Sequence, residues 1–178
     1  MTRWTVHGSH RIYTSPWLDL DLDLVELPDG KRIEHHVIRF PRGSVGAVVA
    51  ESDHILLLWR HRFITDTWGW EVPAGWAEDG EDPVAAVRRE VVEETGYRPE
   101  AVEPLVSFAP LIGISSHRFE MFVASGGPLV NEPDSIESTK VQWLPLADIP
   151  RLVAMGQISD GPSLTALAYY QLRHHAHN

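Results

Sequence analysis

The sequence predicts an α+β fold, a mixed sheet between layers of helix, preceded by a small antiparallel strand unit. Three observations predict it. Residues 18–24 alternate leucine with aspartate at a period of two, the mark of a strand with unlike faces. Residues 43–49 and 54–60 are nearly continuous apolar runs, as expected of strands covered on both sides. Further strand-like runs fall on either side of one strong helical pattern, and two more helical patterns close the chain, an order that suits three layers.

In chain order, residues 10–40 form the antiparallel unit. Leu18, Leu20, Leu22 and Leu24 take one face and Asp19, Asp21 and Asp23 the other, and alternation reads the aspartates as a solvated face. Pro28, Asp29 and Gly30 give the turn, and residues 31–40 return as the partner strand. The boundary between this unit and the remaining domain is set at 1–40 and 41–178. The next strand pair turns at Glu51, Ser52 and Asp53, and Arg60, His61 and Arg62 follow its second strand. An arginine there serves edge solubility or anchors a phosphate or sugar. Trp68, Trp70 and Trp76 either pack the sheet or offer a surface to a nucleobase.

The helix predicted over 83–95 has Asp82 as N-cap, Pro83 at its first position and Gly96 as its stop. Val84, Val87 and Val91 face the core at three- and four-residue spacing. Glu90, Glu93 and Glu94 then share one face, where their like charges call for something positive between them. A hard divalent cation with oxygen ligands fits, Mg²⁺ above all, with Mn²⁺ as a substitute. Residues 101–108, 118–124 and 141–144 read as strands, and 126–139 as a polar, mobile connection. Residues 146–155 and 163–175 read as helices, with Gly156 a stop and Ser163 a cap.

Composition narrows the functions. At 178 residues the chain holds one good core and is too short for two ordinary domains plus a linker. Its formal net charge of −10, without a basic run, disfavours nucleic acid, while a small anion remains possible through a metal and a few arginines. Zero cysteines exclude a disulfide framework and agree with a cytoplasmic setting. No long apolar span suggests a membrane, and the ten histidines lack the spacing of a closed zinc site.

The stretch GWAEDGEDPVAAVRREVVEETGY resembles the Nudix box, G-x5-E-x7-R-E-U-x-E-E-x-G-U with U a bulky apolar residue. Gly75, Glu81, Arg89, Glu90, Val91, Glu93, Glu94 and Gly96 meet the pattern, and Tyr97 is an aromatic where an aliphatic is usual. Glu71 through Gly75 is similar to the E-x-P-A-G entry of the family's ADP-ribose pyrophosphatase branch. The resemblance implies a Nudix-type α/β/α sandwich and a metal-dependent hydrolase of a nucleoside diphosphate linked to another moiety. ADP-ribose, cut to AMP and ribose 5-phosphate, is the leading substrate, and a nucleotide sugar or a non-catalytic nucleotide sensor is the alternative. It implies metal ligands at Glu90, Glu94 and the carbonyl of Ala74, with Glu93 at an outer metal or orienting water and Arg89 pairing with Glu81 or Glu93. The general base it implies is Glu137, eight residues before Pro145, with Asp134 and Glu132 as neighbours on the loop. Substrate contacts are expected from Arg60, Arg62, Trp17 and His117. Where the branch shows a Pro-Gly and then a Ser-Asp-Glu-like turn, this chain has APLIGISSHRF. N-terminal strands of this kind often cross to a second subunit, so a homodimer is expected.

Overall fold

The computed structural model describes residues 2–133 and 138–175. It divides into two compact units, Met1–Gly43 with Ala109–Arg118, and Ser44–Phe108 with Phe119–Asn178.

The first unit is a three-stranded antiparallel sheet of β1 (Thr5–Thr14), β2 (Asp19–Glu26) and β3 (Arg32–Arg39), in that order. The sequence reading missed most of β1, whose Gly8 and polar residues give little strand signal. Residues 109–118 close onto β3, where the Ile38 amide donates to the Ile114 carbonyl at 2.8 Å. The aspartates of β2 are not solvated. Asp21 and Asp23 are only 3% and 4% exposed, whereas Leu24 is 37% exposed. Arginines on both neighbouring strands reverse the expected faces. Arg39 of β3 donates to Asp21 at 2.8 Å and to Asp23 at 2.6 Å, and Arg11 of β1 also pairs with Asp21. These partners hold the Asp21 carboxyl below the usual carboxylate range, Arg11 contributing most.

The second unit is built on a seven-stranded mixed sheet. Its central strand β4 (Ser44–Glu51) lies between β5 (His54–Arg62), antiparallel, and β9 (Phe119–Ser125), parallel. The path ends in β10 (Lys140–Pro145) beside β5 and β8 (Val102–Phe108) beside β9. Two short strands complete it, β6 (Thr67–Glu71) on β5 and β7 (Ala74–Trp76) on β4.

Both sheet faces are apolar, and each takes its own helix layer. Val45, Ala47, Val49 and Leu56 pack against Ala86, Val87 and Val91 of α1 (Pro83–Thr95). Each buried valine there stabilises by roughly 1.5–3 kcal/mol. On the opposite face Val48, Ile55 and Leu57 meet Ile149 and Leu152 of α2 (Ile149–Ala154) and Ala166 and Leu167 of α3 (Gly161–His175). The result is a three-layer α/β/α arrangement around a mixed sheet. Residues 146–155 are less uniform than expected, a 3-10 turn at Leu146–Asp148 preceding α2. The cap of α3 is Asp160, whose Oδ2 accepts from the Ser163 amide at 2.9 Å. Ser163 is instead turned to the sheet, where its hydroxyl accepts from the Val72 amide at 3.0 Å. No helix among the described residues is long and apolar enough to cross a membrane.

Candidate active site

The site is assembled on α1 and the turn that feeds it. Asp82 caps the helix by accepting from the Ala85 amide at 3.1 Å, Pro83 occupies the first turn, and Gly96 ends it at φ 77°. Tyr97 packs edge-on to Trp143 at 5.6 Å, which gives the aromatic at this position a partner of its own. With Val87 and Val91 fixed in the core, Glu90 and Glu94 turn inward and Glu93 outward. Glu94 is 6% exposed.

Positive charge stands between these carboxylates, as their spacing requires, and arginines supply it. Arg89 Nη1 donates to Glu90 at 2.7 Å and to Glu93 at 3.0 Å. Its Nη2 donates to Glu81 and to the Trp76 carbonyl, both at 2.9 Å. One guanidinium thus ties the helix to the entry turn, and the expected pairing of Arg89 covers both named partners. On the inner side Arg60 Nη2 donates to Glu94 Oε1 at 2.6 Å, with Arg60 Nε 3.9 Å from Glu71. Glu71 in turn accepts from Arg62 Nε at 2.9 Å. Arg62, Glu71, Arg60 and Glu94 therefore form a chain of alternating charge. Arg60 is 4% exposed and turned to the protein's own carboxylates, whereas Arg62 keeps about half of its side chain in solvent.

Ala74 joins the cluster through its amide, which donates to Glu94 Oε2 at 2.9 Å. Gly75 has a steric role: a Cβ there would collide with the Glu90 carboxylate. Among the described residues no three acidic or histidine side chains converge as a metal cage on their own. The residues nevertheless fit a hard divalent cation. Glu90, Glu94 and the Ala74 carbonyl are oxygen donors, and the missing side chain at Gly75 leaves Glu90 its place. Burial pushes the Glu94 carboxyl up to about 7, outweighing the attraction of Arg60 and the Ala74 amide.

The other expected site residues are distributed as follows. Trp17 and His117 belong to the first unit. Trp17 is 68% exposed, and His117 is buried against Phe40 with ring centroids 4.6 Å apart. Burial holds its imidazole below the usual histidine range. Glu137 and Asp134 lie outside the described residues, and Glu132 is exposed. The connection before them is fastened to the helix end, the Val130 amide donating to the Gly96 carbonyl at 2.8 Å. Of the tryptophans, Trp70 packs on the core, while Trp68 lies half exposed over Trp59, with centroids 6.3 Å apart. Two residues that sequence reasoning left without a role in the site stand out, Asp160 and the inward-turned Glu71. Glu71 carried a signal in its E-x-P-A-G turn, and Asp160 carried none beyond helix capping.

A helix bearing paired inward glutamates, entered through an E-x-P-A-G turn and laid on a mixed sheet, defines a Nudix pyrophosphohydrolase. The chain belongs to the Nudix family: residues 40–167 match the model of the NUDIX domain. Residues 4–38 match that of the nucleoside diphosphate sugar hydrolase N-terminal domain. Among relatives, the chain is 36% identical over 168 residues to a CMP-5'-(N-acetyl-N-hydroxy-3-aminopropyl)phosphonate hydrolase of Streptomyces rubellomurinus, covering 93% of this chain and 82% of that one. It is 27% identical over 169 residues to an ADP-ribose pyrophosphatase of Bacillus subtilis, covering 93% and 91%. A crystal structure of an ADP compounds hydrolase shares the fold with a TM-score of 0.88 at 19% identity, over 100% of this chain and 97% of that one.

Proposed function

We propose that this chain hydrolyses the diphosphate bond of a nucleoside diphosphate linked to a second moiety, with ADP-ribose as the substrate. Water attacks one phosphorus, the bond from that phosphorus to the bridging oxygen breaks, and AMP and ribose 5-phosphate leave. The observation that carries this reading is the buried Glu94, held between Arg60 and the Ala74 amide beside Glu90. So costly a buried carboxylate needs a chemical reason. Support for the substrate class comes from the match of the N-terminal residues to a nucleoside diphosphate sugar hydrolase domain and from the Bacillus subtilis relative's name.

Glu90, Glu94 and the Ala74 carbonyl would hold a divalent cation, Mg²⁺ or Mn²⁺. When bound, such an ion neutralises phosphate oxygens and acidifies water. The chain's own residues do the rest. Arg60 offsets the charge of Glu94, and Arg89 fixes Glu90 and the entry turn. Arg62 presents a half-exposed guanidinium to an incoming phosphate or sugar. Glu93 orients water, and Glu137 takes the attacking water's proton. Trp17 and His117 are assigned to the substrate on the same reading.

The identity to the Streptomyces rubellomurinus relative favours a second reading, a nucleotide carrying a group other than ribose. One panel separates them. ADP-ribose, nucleotide sugars and CMP-linked phosphonates are incubated with Mg²⁺ or Mn²⁺ in ¹⁸O-water, and product masses are read. AMP and ribose 5-phosphate, one carrying ¹⁸O, are expected; faster turnover of another compound moves the assignment to it. In Glu90→Gln and Glu94→Gln, turnover should fall by roughly a hundredfold or more. Unchanged rates in both would remove the metal-site assignment.

A further inference from the structure

Between β6 and β7 the chain has a link of two residues, Val72 and Pro73, which delivers Ala74 to Glu94. Neither residue belongs to a strand, so their backbone polar groups take partners from elsewhere. Pro73 has no amide, and its carbonyl accepts from the Ala47 amide of β4 at 3.0 Å. Gly46 allows that approach, since a Cβ there would meet the Pro73 carbonyl and the Ala74 side chain. The Val72 amide is buried and donates to Ser163 Oγ at 3.0 Å, a partner 91 residues away on α3. The link is thus held by β4 from one side and by α3 from the other.

Ser163 is itself fixed. It is 0% exposed, and its amide donates to Asp160 Oδ2 at 2.9 Å, so the first turn of α3 sets where the hydroxyl stands. The Val72 side chain packs in one core cluster with Ile158, Ala166 and Leu167, which draws the link onto that layer. Two residues earlier, the Trp70 amide donates to the Gln157 carbonyl at 2.7 Å. Residues 157–163 therefore cover the edge of β6 that β5 leaves open. Capping does not account for Ser163, because Asp160 fills that role. A small apolar residue would serve the helix as well, and would leave the buried Val72 amide without an acceptor.

We propose that Ser163 is a positioning residue for the hydrolase site. By holding the Val72 amide it fixes the path of the link, and with it the aim of Ala74, whose amide meets Glu94 and whose carbonyl is assigned to the metal. The proposal rests on the hydrolase reading above. A donor oxygen supplied by the main chain is only as well placed as the backbone leading to it, and partners one layer out set that placement.

The test needs a variant that loosens the link and one that lowers stability without touching it. Ser163→Ala removes the acceptor, and Ile149→Val removes a methylene from the same helix layer. Both should lower Tm by about 2–4 °C. Calorimetry with Mn²⁺ alone should show about tenfold weaker binding in Ser163→Ala and wild-type binding in Ile149→Val. In EDTA, the Ala74 amide, followed by NMR hydrogen exchange, should exchange about tenfold faster in Ser163→Ala than in Ile149→Val. Ser163→Cys keeps a weak acceptor and should fall between wild type and alanine in both readouts, and it carries the test if the alanine variant does not fold. Equal Mn²⁺ affinity, or equal Ala74 exchange, in the variants at 163 and 149 overturns the positioning role and leaves the hydrolase standing. Failure of the wild-type protein to bind Mn²⁺ removes the metal site and the proposal together.

Discussion

At Glu94 burial and charge pull in opposite directions. Arg60 at 2.6 Å favours the carboxylate, and loss of water favours the acid, which wins in the metal-free protein at about 7. An acid whose folded pKa exceeds its unfolded value binds extra protons in the folded state between the two. Its contribution to stability is full below about 4.5 and is lost as pH rises towards 7. In excess EDTA, Tm should therefore decline across that window by an amount equivalent to about 3 kcal/mol, and Glu94→Gln should flatten the decline. A parallel decline in the variant would assign it to another group. Gly75→Ala pushes against Glu90 and should weaken Mn²⁺ binding about 10- to 100-fold, read by calorimetry, with the fold retained. The glutamate spacing was legible because a helix converts sequence offset into a shared face. The partner of Glu94 was not, because Arg60 lies 34 residues away on β5 and only the fold brings it over. Alternation in β2 likewise shows that the faces differ and says nothing of which is buried, a choice made by Arg11 and Arg39.

Among the elements, α1 was readable from end to end because each of its signals is local. Asp82, Pro83 and Gly96 act within a turn of themselves, and the three valines repeat at the helical period. Gly96 adds a steric constraint, since a Cβ there would meet the Asn131 carbonyl. Gly96→Ala should cost about 1–3 kcal/mol in urea denaturation, from the left-handed backbone and the collision together. Arg89→Gln removes the ties among Glu81, Glu90, Glu93 and Trp76. About 2–3 kcal/mol of stability should go with them, in the same assay, and an effect below 0.5 kcal/mol would show that the guanidinium does not brace the turn. The start of α3 was misread for a reason within the residues themselves. Asp160 and Ser163 are both good caps, and only the Val72 amide, supplied by the sheet, recruits the serine elsewhere.

Over the whole molecule, the three-layer order was legible because runs of unlike period follow one another along the chain. The strand pairing was not, since the joining of β4 to β9 and the closing of residues 109–118 onto β3 depend on partners distant in sequence. All ten residues of β1 are exposed, Val6, Ile12 and Tyr13 among them. A second copy covering such a strand is the expected homodimer. Sedimentation at micromolar concentration should give a dimer, and a monomer would set that expectation aside.

The parallel junction of Ser44–Ala50 with Phe119–Ser125 also governs how the protein comes into being. A growing chain that has made β4, β5 and all of α1 still lacks the strand that completes the central one, and must hold an open, apolar edge until β9 emerges. Closure over so long a loop is slow, so synthesis passes through a stage in which the glutamate-bearing helix α1 exists without a finished sheet beneath it. Catalytic competence should then arrive late and all at once, when Phe119–Ser125 docks, and a chaperone's longest engagement should fall on chains stalled just short of it.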